Sequence, residues 1–238
     1  MDFTQRDNEL IHDCINYLYE NDWNFTGFID KPSYHRFELF REGVYEGGEH
    51  SEYIYCGMNL EEVCVNVCNG ASRGVLIFRP VGNIDEYSTN VQRLFSYVVK
   101  FDLSDEKYTE KEVEYYEDAV DEGLEDYFAE IHKGGNFDGV DYYVMEQVKC
   151  DEDRSSSEMY LAYCEKMDMD SEDEESFDEY YGQSSEEILY TFIENVYGEK
   201  VADRINDFCI NHDINDIHNE NIGYLNDKPI IIDYAGYY

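Results

Sequence analysis

Residues 214–238 constrain the fold of this chain most, because turn-forming polar residues and an apolar run follow one another closely there. The dipeptide Asn226-Asp227 stands between two short segments, residues 223–225 and residues 229–232, that are rich in apolar side chains. Turn residues between two such segments favour antiparallel pairing. The sequence therefore predicts a short β-hairpin near the C-terminal end of the chain.

Three side chains that carry oxygen ligands flank this predicted hairpin. Asp216 and Asn221 lie five residues apart in a polar stretch that predicts a tight loop, and Asp233 follows the apolar run. An Asp can orient a hydroxyl group and accept its proton, while an Asn and a second Asp supply hard oxygen ligands for the Mg²⁺ that accompanies a nucleotide. The alternative is that all three are ordinary turn and strand-end residues.

The charge of the chain restricts its partners. Among 238 residues, 56 Asp and Glu stand against 17 Lys and Arg, which gives a formal net charge of −39. Such a surface repels nucleic acids, anionic membranes and free nucleotides, and it attracts basic proteins. We therefore expect a basic protein as partner or substrate, with no direct binding to nucleic acid or membrane. Solubility, adaptation to high salt and imitation of the charge of DNA stay open as reasons for the acidity.

Composition and cysteine usage indicate a soluble cytoplasmic protein. Hydrophobic residues make up 42% of the chain, which is enough for a core, and no apolar run approaches the length of a membrane span. The polar first ten residues are unlike a signal peptide, and the seven cysteines include no C-x-x-C pair. We expect reduced thiols. Cys64 and Cys68, four apart on a predicted helix, are the weaker zinc alternative.

Residues 1–60 form a predicted N-terminal extension. Apolar side chains recur there at helical spacing after Thr4, a suitable helix cap, and short aromatic strands follow. The helical positions are Leu10, Ile11, Cys14, Ile15, Leu18 and Tyr19. The next apolar segment, residues 60–67, is compatible with a helix or a strand.

Four features then follow in order between residues 70 and 148. A glycine-containing turn precedes an apolar strand at residues 70–80, and Lys100 lies within the predicted strand YVVKF. Glu112 lies on a predicted helix over residues 108–127, and Glu114 points about 200° away from it. Residues 127–131 and 142–148 predict a second hairpin, with the turn at residues 132–139.

The remaining chain predicts a charged region followed by helices. Residues 151–187 hold 15 Asp and Glu but only two basic residues, which indicates either a solvated loop or a charged helical surface. An amphipathic helix over residues 188–196, capped by Ser184 or Ser185, and another through Ile205 and Phe208 lead to Asp216.

This order of features resembles the protein-kinase-like superfamily. The sequence DIHNEN from Asp216 to Asn221 is similar to the D-x-H-x-x-N loop of aminoglycoside-kinase-like and phage kinase-like proteins, and Asp233-Tyr234-Ala235 stands where D-F-G would stand. The glycine turn departs from G-x-G-x-x-G, because it has only Gly70 and Gly74. The sequence ends five residues after Asp233, without an activation segment. The resemblance therefore implies a minimal kinase, as in some phage and bacterial effector proteins.

The resemblance also implies a fold, cofactors and roles for named residues. The expected fold is α+β, a truncated two-lobed kinase-like fold with an extension over residues 1–60, an N-lobe over 61–148 and a C-lobe over 149–238. Asp216 would be catalytic, Lys100 would hold the ATP phosphates, and Glu112 would orient Lys100. Asn221 and Asp233 would hold Mg²⁺. The residues expected to contact ATP are Gly70, Ser72, Arg73, Gly74, Lys100, Glu146 and Val148.

Two functions follow from these observations, and they belong to different classes. The first is ATP- and Mg-dependent phosphoryl transfer to a basic protein. The second is a highly acidic, DNA-mimicking or pseudokinase-type inhibitor that binds a basic host nucleic-acid-binding protein without catalysis. A soluble acidic α+β domain with neither role is the third possibility.

Overall fold

A computed structural model of the chain describes residues 3–20, 23–24, 28–31, 34–37, 40–41, 51–58, 61–69, 73–102, 108–137, 140–215 and 217–234. The protein is α+β, with antiparallel sheets. The helices are Gln5–Glu20 (α1), Thr89–Leu94 (α2), Tyr108–Asp121 (α3), Glu152–Met167 (α4), Glu174–Tyr181 (α5), Ser185–Tyr197 (α6) and Glu199–Asn211 (α7). None of these helices, which cover the described part of the chain, is long and apolar enough to cross a membrane.

The strands divide among several antiparallel sheets. They are Trp23–Asn24 (β1), Phe28–Lys31 (β2), Tyr34–Phe37 (β3), Phe40–Arg41 (β4), Ser51–Met58 (β5), Glu61–Asn69 (β6), Arg73–Pro80 (β7), Tyr97–Asp102 (β8), Ile131–Phe137 (β9), Val140–Glu146 (β10), Lys149–Cys150 (β11), Ile222–Leu225 (β12) and Lys228–Ile231 (β13). The largest sheet has six strands in the order β5-β6-β7-β8-β10-β9.

The chain forms two compact units. The first contains residues 1–113 and 130–147 and holds the six-stranded sheet. The second contains residues 114–129 and 148–238 and holds α4 to α7 with the small sheet β11-β12-β13. Residues 1–60, predicted as an extension, belong to the first unit.

The helix predicted after Thr4 is confirmed as α1. Thr4 and Asp7 form a reciprocal cap, in which the Thr4 amide donates to the Asp7 carboxylate at 2.7 Å and the Asp7 amide donates to the Thr4 hydroxyl at 3.3 Å. Four apolar side chains of α1 are fully buried in the core of the first unit. The helix contributes Leu10, Ile11, Cys14 and Ile15 to this core, and the sheet contributes Val99, Phe101 and Val144 among others.

A buried ion pair also links α1 to α2. The Asp7 carboxylate is completely buried and accepts hydrogen bonds from Arg93 Nε at 2.7 Å and Nη2 at 2.6 Å. Because Asp7→Asn leaves the Arg93 guanidinium without its counter-charge, we expect it to lower the free energy of unfolding by about 3–5 kcal/mol. Urea denaturation measures this change. Glu9→Gln, which breaks the exposed pair with Arg6, should change it by no more than about 1 kcal/mol.

The same carboxylate makes the effect depend on pH. Burial acts to raise the pKa of Asp7, but hydrogen bonds from Arg93 and Thr4 outweigh burial and hold the pKa below its ordinary value. A carboxyl group whose pKa is lower in the folded state than in the unfolded state stabilises the fold. This stabilisation is fully present above the unfolded pKa of about 4 and is lost as pH falls through the folded pKa. The difference between wild type and Asp7→Asn should therefore shrink between pH 7 and about pH 3. A constant difference would contradict this account.

The strands around Lys100 agree in part with the sequence predictions. Lys100 lies on β8, as predicted, and the described part of the ambiguous segment at residues 60–67 belongs to strand β6. The prediction that Cys64 and Cys68 lie on a helix is wrong, because both lie on β6. Four residues along a strand separate them by about 13 Å, which is too far for one metal ion.

Two predicted boundaries between residues 108 and 148 are corrected. The predicted helix over residues 108–127 ends at Asp121, because Gly123 adopts a left-handed φ of 67°. The predicted turn at residues 132–139 is largely strand, since β9 runs from Ile131 to Phe137. Position 135 within this strand is occupied by a glycine, because a Cβ there would lie 2.6 Å from atoms of the Tyr142 side chain. Glycine therefore permits close ring packing here, where the sequence suggested a turn.

The second unit confirms the helical predictions. Of the two structures left open for residues 151–187, the charged helical surface is confirmed, since α4 and α5 occupy most of this segment. Ser184 caps α6, because its hydroxyl accepts from the Glu187 amide at 3.3 Å. Helix α7 follows after Gly198.

The C-terminal hairpin is confirmed as β12 and β13. Ile222 pairs with Ile231, and Leu225 pairs with Lys228 across the turn. Asn226 and Asp227 have φ values of 52° and 63°, and a two-residue hairpin turn of type I′ requires positive φ at both of its positions. The local turn chemistry therefore sets the register of this hairpin.

Candidate functional site

A buried ion pair lies on one face of the six-stranded sheet. Lys100 lies between Val75 of β7 and Tyr143 of β10, its direct cross-strand neighbours. Its Nζ is 3.4 Å from Oε1 of Glu112 on α3. Lys100 is 8% exposed and Glu112 is completely buried. Glu114, the rejected alternative on this helix, is exposed.

Tyr143 completes this arrangement, and the sequence analysis missed it. Its hydroxyl donates a hydrogen bond to Oε2 of Glu112, so both oxygens of the carboxylate are engaged. The Lys100 ammonium lies 5.8 Å from the centroid of the Tyr143 ring. Because the cross-strand register brings Lys100 and Tyr143 together, no local signal in the sequence indicated this contact.

Apolar side chains continue the same face beside the ion pair. In the next row of the sheet, Ile77 pairs with Val98, and Val98 pairs with Met145. Side chains two residues apart on a strand share a face, so these three lie on the same side as Lys100. Together with Val75 they form what we call the apolar patch. Val75, Ile77 and Val98 are only half-buried.

This combination suits a ligand with a flat apolar part and an anionic part. The half-buried side chains of the apolar patch can cover an aromatic ring, while the lysine that Glu112 and Tyr143 contact presents a fixed positive charge. The opposite face of β8 is not available to such a ligand in the described part of the chain, because Val99 and Phe101 on that face are buried in the core.

The predicted phosphate turn is described only in part. Gly70 and Ser72 lie outside the described residues. Arg73 and Gly74 lie within β7, where they pair with Asp102 and Phe101, respectively. Their backbone therefore belongs to the sheet ladder.

The predicted hinge residues lie at the end of β10 and beyond it. The Glu146 amide donates to the Glu130 carbonyl at 2.8 Å, and burial, followed by repulsion from Glu130, raises the pKa of the Glu146 carboxyl. Val148 belongs to the second unit and is buried against Gly223, where a Cβ would lie 2.5 Å from Val148 Cγ1. Only backbone groups of Val148 are compatible with ligand contact, since its side chain is used in packing.

The hairpin brings the two predicted magnesium ligands to one end. Asn221 ends a short 3-10 turn, and its carbonyl accepts from the Ile232 amide at 2.9 Å. Asp233 follows Ile232 directly, so Asn221 and Asp233 lie at the same end of the β12–β13 hairpin. Both are half-buried. Asp216 lies outside the described residues.

The described residues therefore contain two separate pairs. Lys100 lies with Glu112 in the first unit, and Asn221 lies with Asp233 in the second. No cluster of three or more His, Cys, Asp or Glu placed to hold a metal ion occurs within the described ranges. Asn221 and Asp233 supply one amide and one carboxylate, which is enough for Mg²⁺, because this ion usually keeps several waters and binds substrate phosphates.

The chain matches no protein-family model, and no curated protein matches it.

Proposed function

We propose that this protein is an ATP- and Mg-dependent phosphotransferase with a kinase-like, two-lobed fold. The observation that carries the proposal is the buried Lys100–Glu112 pair, which Tyr143 holds and which the apolar patch adjoins. A lysine fixed by a helix glutamate is the arrangement that kinases use to hold the α- and β-phosphates.

A purely structural role explains this pair less well. Desolvating two charges offsets much of their attraction, and replacing a buried pair by apolar side chains is often neutral or stabilising. The neighbours of Lys100 along and across the strands are apolar or aromatic, so a valine would suit packing alone. The chain has few basic residues, with 17 Lys and Arg in all. A lysine buried at this position is therefore better explained by a ligand that needs its charge.

The other residues take the following roles. The apolar patch contacts the base, and the backbone near Glu146 and Val148 binds its polar edge. Asn221 and Asp233 would hold Mg²⁺, which when bound neutralises charge on the phosphates. Asp216 orients the acceptor hydroxyl and accepts its proton. Gly70, Ser72, Arg73 and Gly74 are proposed to lie near the phosphates.

The charge of the chain indicates the acceptor. A body with a formal charge of −39 repels anionic metabolites and attracts basic proteins. We propose a hydroxyl side chain of a basic protein, in the cytoplasm, as the phosphate acceptor.

Thermal denaturation tests the nucleotide requirement. At about 100 times its Kd, a ligand that binds only the folded state adds about 2.7 kcal/mol of stability. For a chain of this size that corresponds to a rise in Tm of roughly 5–10 °C. We expect this rise with Mg·ATP, and we expect little of it with ATP and a chelator, because the metal offsets the negative charge of the phosphates. Superimposable melting curves in the two conditions would contradict the proposal.

A further inference from the structure

An apolar groove lies between α6 and α7 in the second unit. It has an empty volume of about 430 Å³, including space open to solvent. Its lining is mainly apolar and includes Leu189, Ile193, Ile205, Cys209 and Ile210. Burial raises the pKa of the Cys209 thiol to about 12, which agrees with an apolar environment at the base of the groove.

One of the apolar side chains that line this groove is largely exposed to solvent. Ala202, Ile205, Phe208 and Cys209 are the buried residues of α7. Ile210, by contrast, is 65% exposed although it lines the groove. A concave apolar surface can take up the apolar face of a helical segment, and the exposed Ile210 side chain adds to the apolar area available for contact.

Acidic residues predominate on the two helices that form the groove. Helices α6 and α7 contain six Asp and Glu but only two basic residues, Lys200 and Arg204. Arg204 donates to the Gly123 carbonyl at 3.1 Å, so it is already engaged within the unit. Glu186 lines the groove itself. The groove therefore has a mainly apolar lining and is formed by two helices that carry a net negative charge.

We propose that this groove binds a segment of a partner protein whose apolar side chains are flanked by Lys or Arg. Apolar side chains of such a segment, for example on one face of a helix, fill the groove, and its basic side chains are attracted by Glu186 and the other carboxylates of α6 and α7. This binding needs neither Lys100 nor Mg·ATP.

The position of the groove connects it to the proposed reaction. Asn215 and Ile217, the sequence neighbours of Asp216, line the same groove. A protein docked there is the phosphate acceptor, a step that rests on the proposed function.

The test uses a labelled amphipathic peptide of about 18 residues, with Leu at i, i+3, i+4 and i+7 and Lys at most other positions. Fluorescence anisotropy measures its binding to the full chain at about 150 mM salt, where exposed charges are screened beyond about 8 Å. A scrambled peptide of equal composition is the control, because a protein this acidic attracts any cationic peptide. We expect the scrambled peptide to bind at least about tenfold more weakly.

Two matched substitutions locate the binding site. Ile210→Ser removes the exposed apolar wall and should weaken peptide binding at least about fivefold, given the contribution of a buried Ile side chain. Val196→Ser is the control, since Val196 is also exposed, at 42%, on α6 but does not line the groove. This control should bind like wild type.

Three results would overturn the proposal. These are equal binding of the two peptides, equal binding by Ile210→Ser and wild type, and self-association of wild type that Ile210→Ser abolishes. Self-association of this kind would mean that a second copy of this chain, and not a basic partner protein, occupies the groove. Lys100→Met/Glu112→Gln should bind the peptide like wild type, so failure of nucleotide binding and failure of the groove proposal remain distinguishable.

Discussion

Replacing Lys100 by Met and Glu112 by Gln together is expected to weaken Mg·ATP binding at least about a hundredfold while the protein stays folded. Hydrogen bonds to charged groups contribute about 1.5–3 kcal/mol each, and Lys100 is proposed to contact two phosphates. The double change removes both charges of the pair together, whereas removing one partner alone would destabilise the first unit by about 3–5 kcal/mol. The amide oxygen of the introduced glutamine keeps an acceptor for the Tyr143 hydroxyl. Equilibrium binding of a fluorescent ATP analogue and circular dichroism melting measure the two effects.

The partly exposed pair Lys166–Glu194 offers a matched control. Its atoms are 2.7 Å apart, and the two side chains are 41% and 30% exposed. Lys166→Met/Glu194→Gln makes the same two chemical changes at residues that have no proposed role in nucleotide binding. We expect this variant to bind Mg·ATP like wild type. Equal nucleotide affinity of the Lys100/Glu112 variant and wild type would mean that the buried pair is only structural.

Asp216→Asn is expected to lower the rate of phosphoryl transfer by about 10²–10⁴-fold, because it removes the proton acceptor and keeps the size of the side chain. Mg·ATP should still bind, since the proposed metal ligands Asn221 and Asp233 are unchanged. Transfer of radiolabelled phosphate to a basic protein, or to Ser and Tyr of residues 151–187, measures the rate. Asp213→Asn is the control, because Asp213 has a left-handed φ of 52° that Asn also tolerates.

The same variant separates catalysis from partner binding. An acidic, DNA-mimicking inhibitor without catalysis would keep its full effect on a basic partner after Asp216→Asn. Full activity of purified, folded Asp216→Asn protein in the transfer assay would therefore contradict the role proposed for this residue.

Local patterns in the sequence predicted the parts of the site that depend on neighbouring residues. The apolar flanks of Lys100 predicted a strand, and helical spacing distinguished buried Glu112 from exposed Glu114. The C-terminal hairpin was predictable because Asn226 and Asp227 tolerate the positive φ that its turn needs.

Contacts that depend on distant parts of the chain were not predictable. Tyr143 meets Glu112 only through the register of β8 with β10, which single-strand patterns do not determine. Gly135 was interpreted as a turn residue, although it accommodates the Tyr142 ring within β9. The exposure of Ile210 depends on how α6 and α7 pack, and the amphipathic pattern of α7 alone does not specify it.

Isothermal titration calorimetry of Mg·ATP into wild type and Asp233→Ala, side by side, tests the central claim most directly. The account predicts saturable one-site binding to wild type, with a Kd in the range of typical enzyme KM values, about 1 µM to 1 mM. It predicts at least about tenfold weaker binding to Asp233→Ala, because that substitution removes the carboxylate ligand proposed for Mg²⁺. Absence of binding to wild type, or identical isotherms for the two proteins, would contradict it.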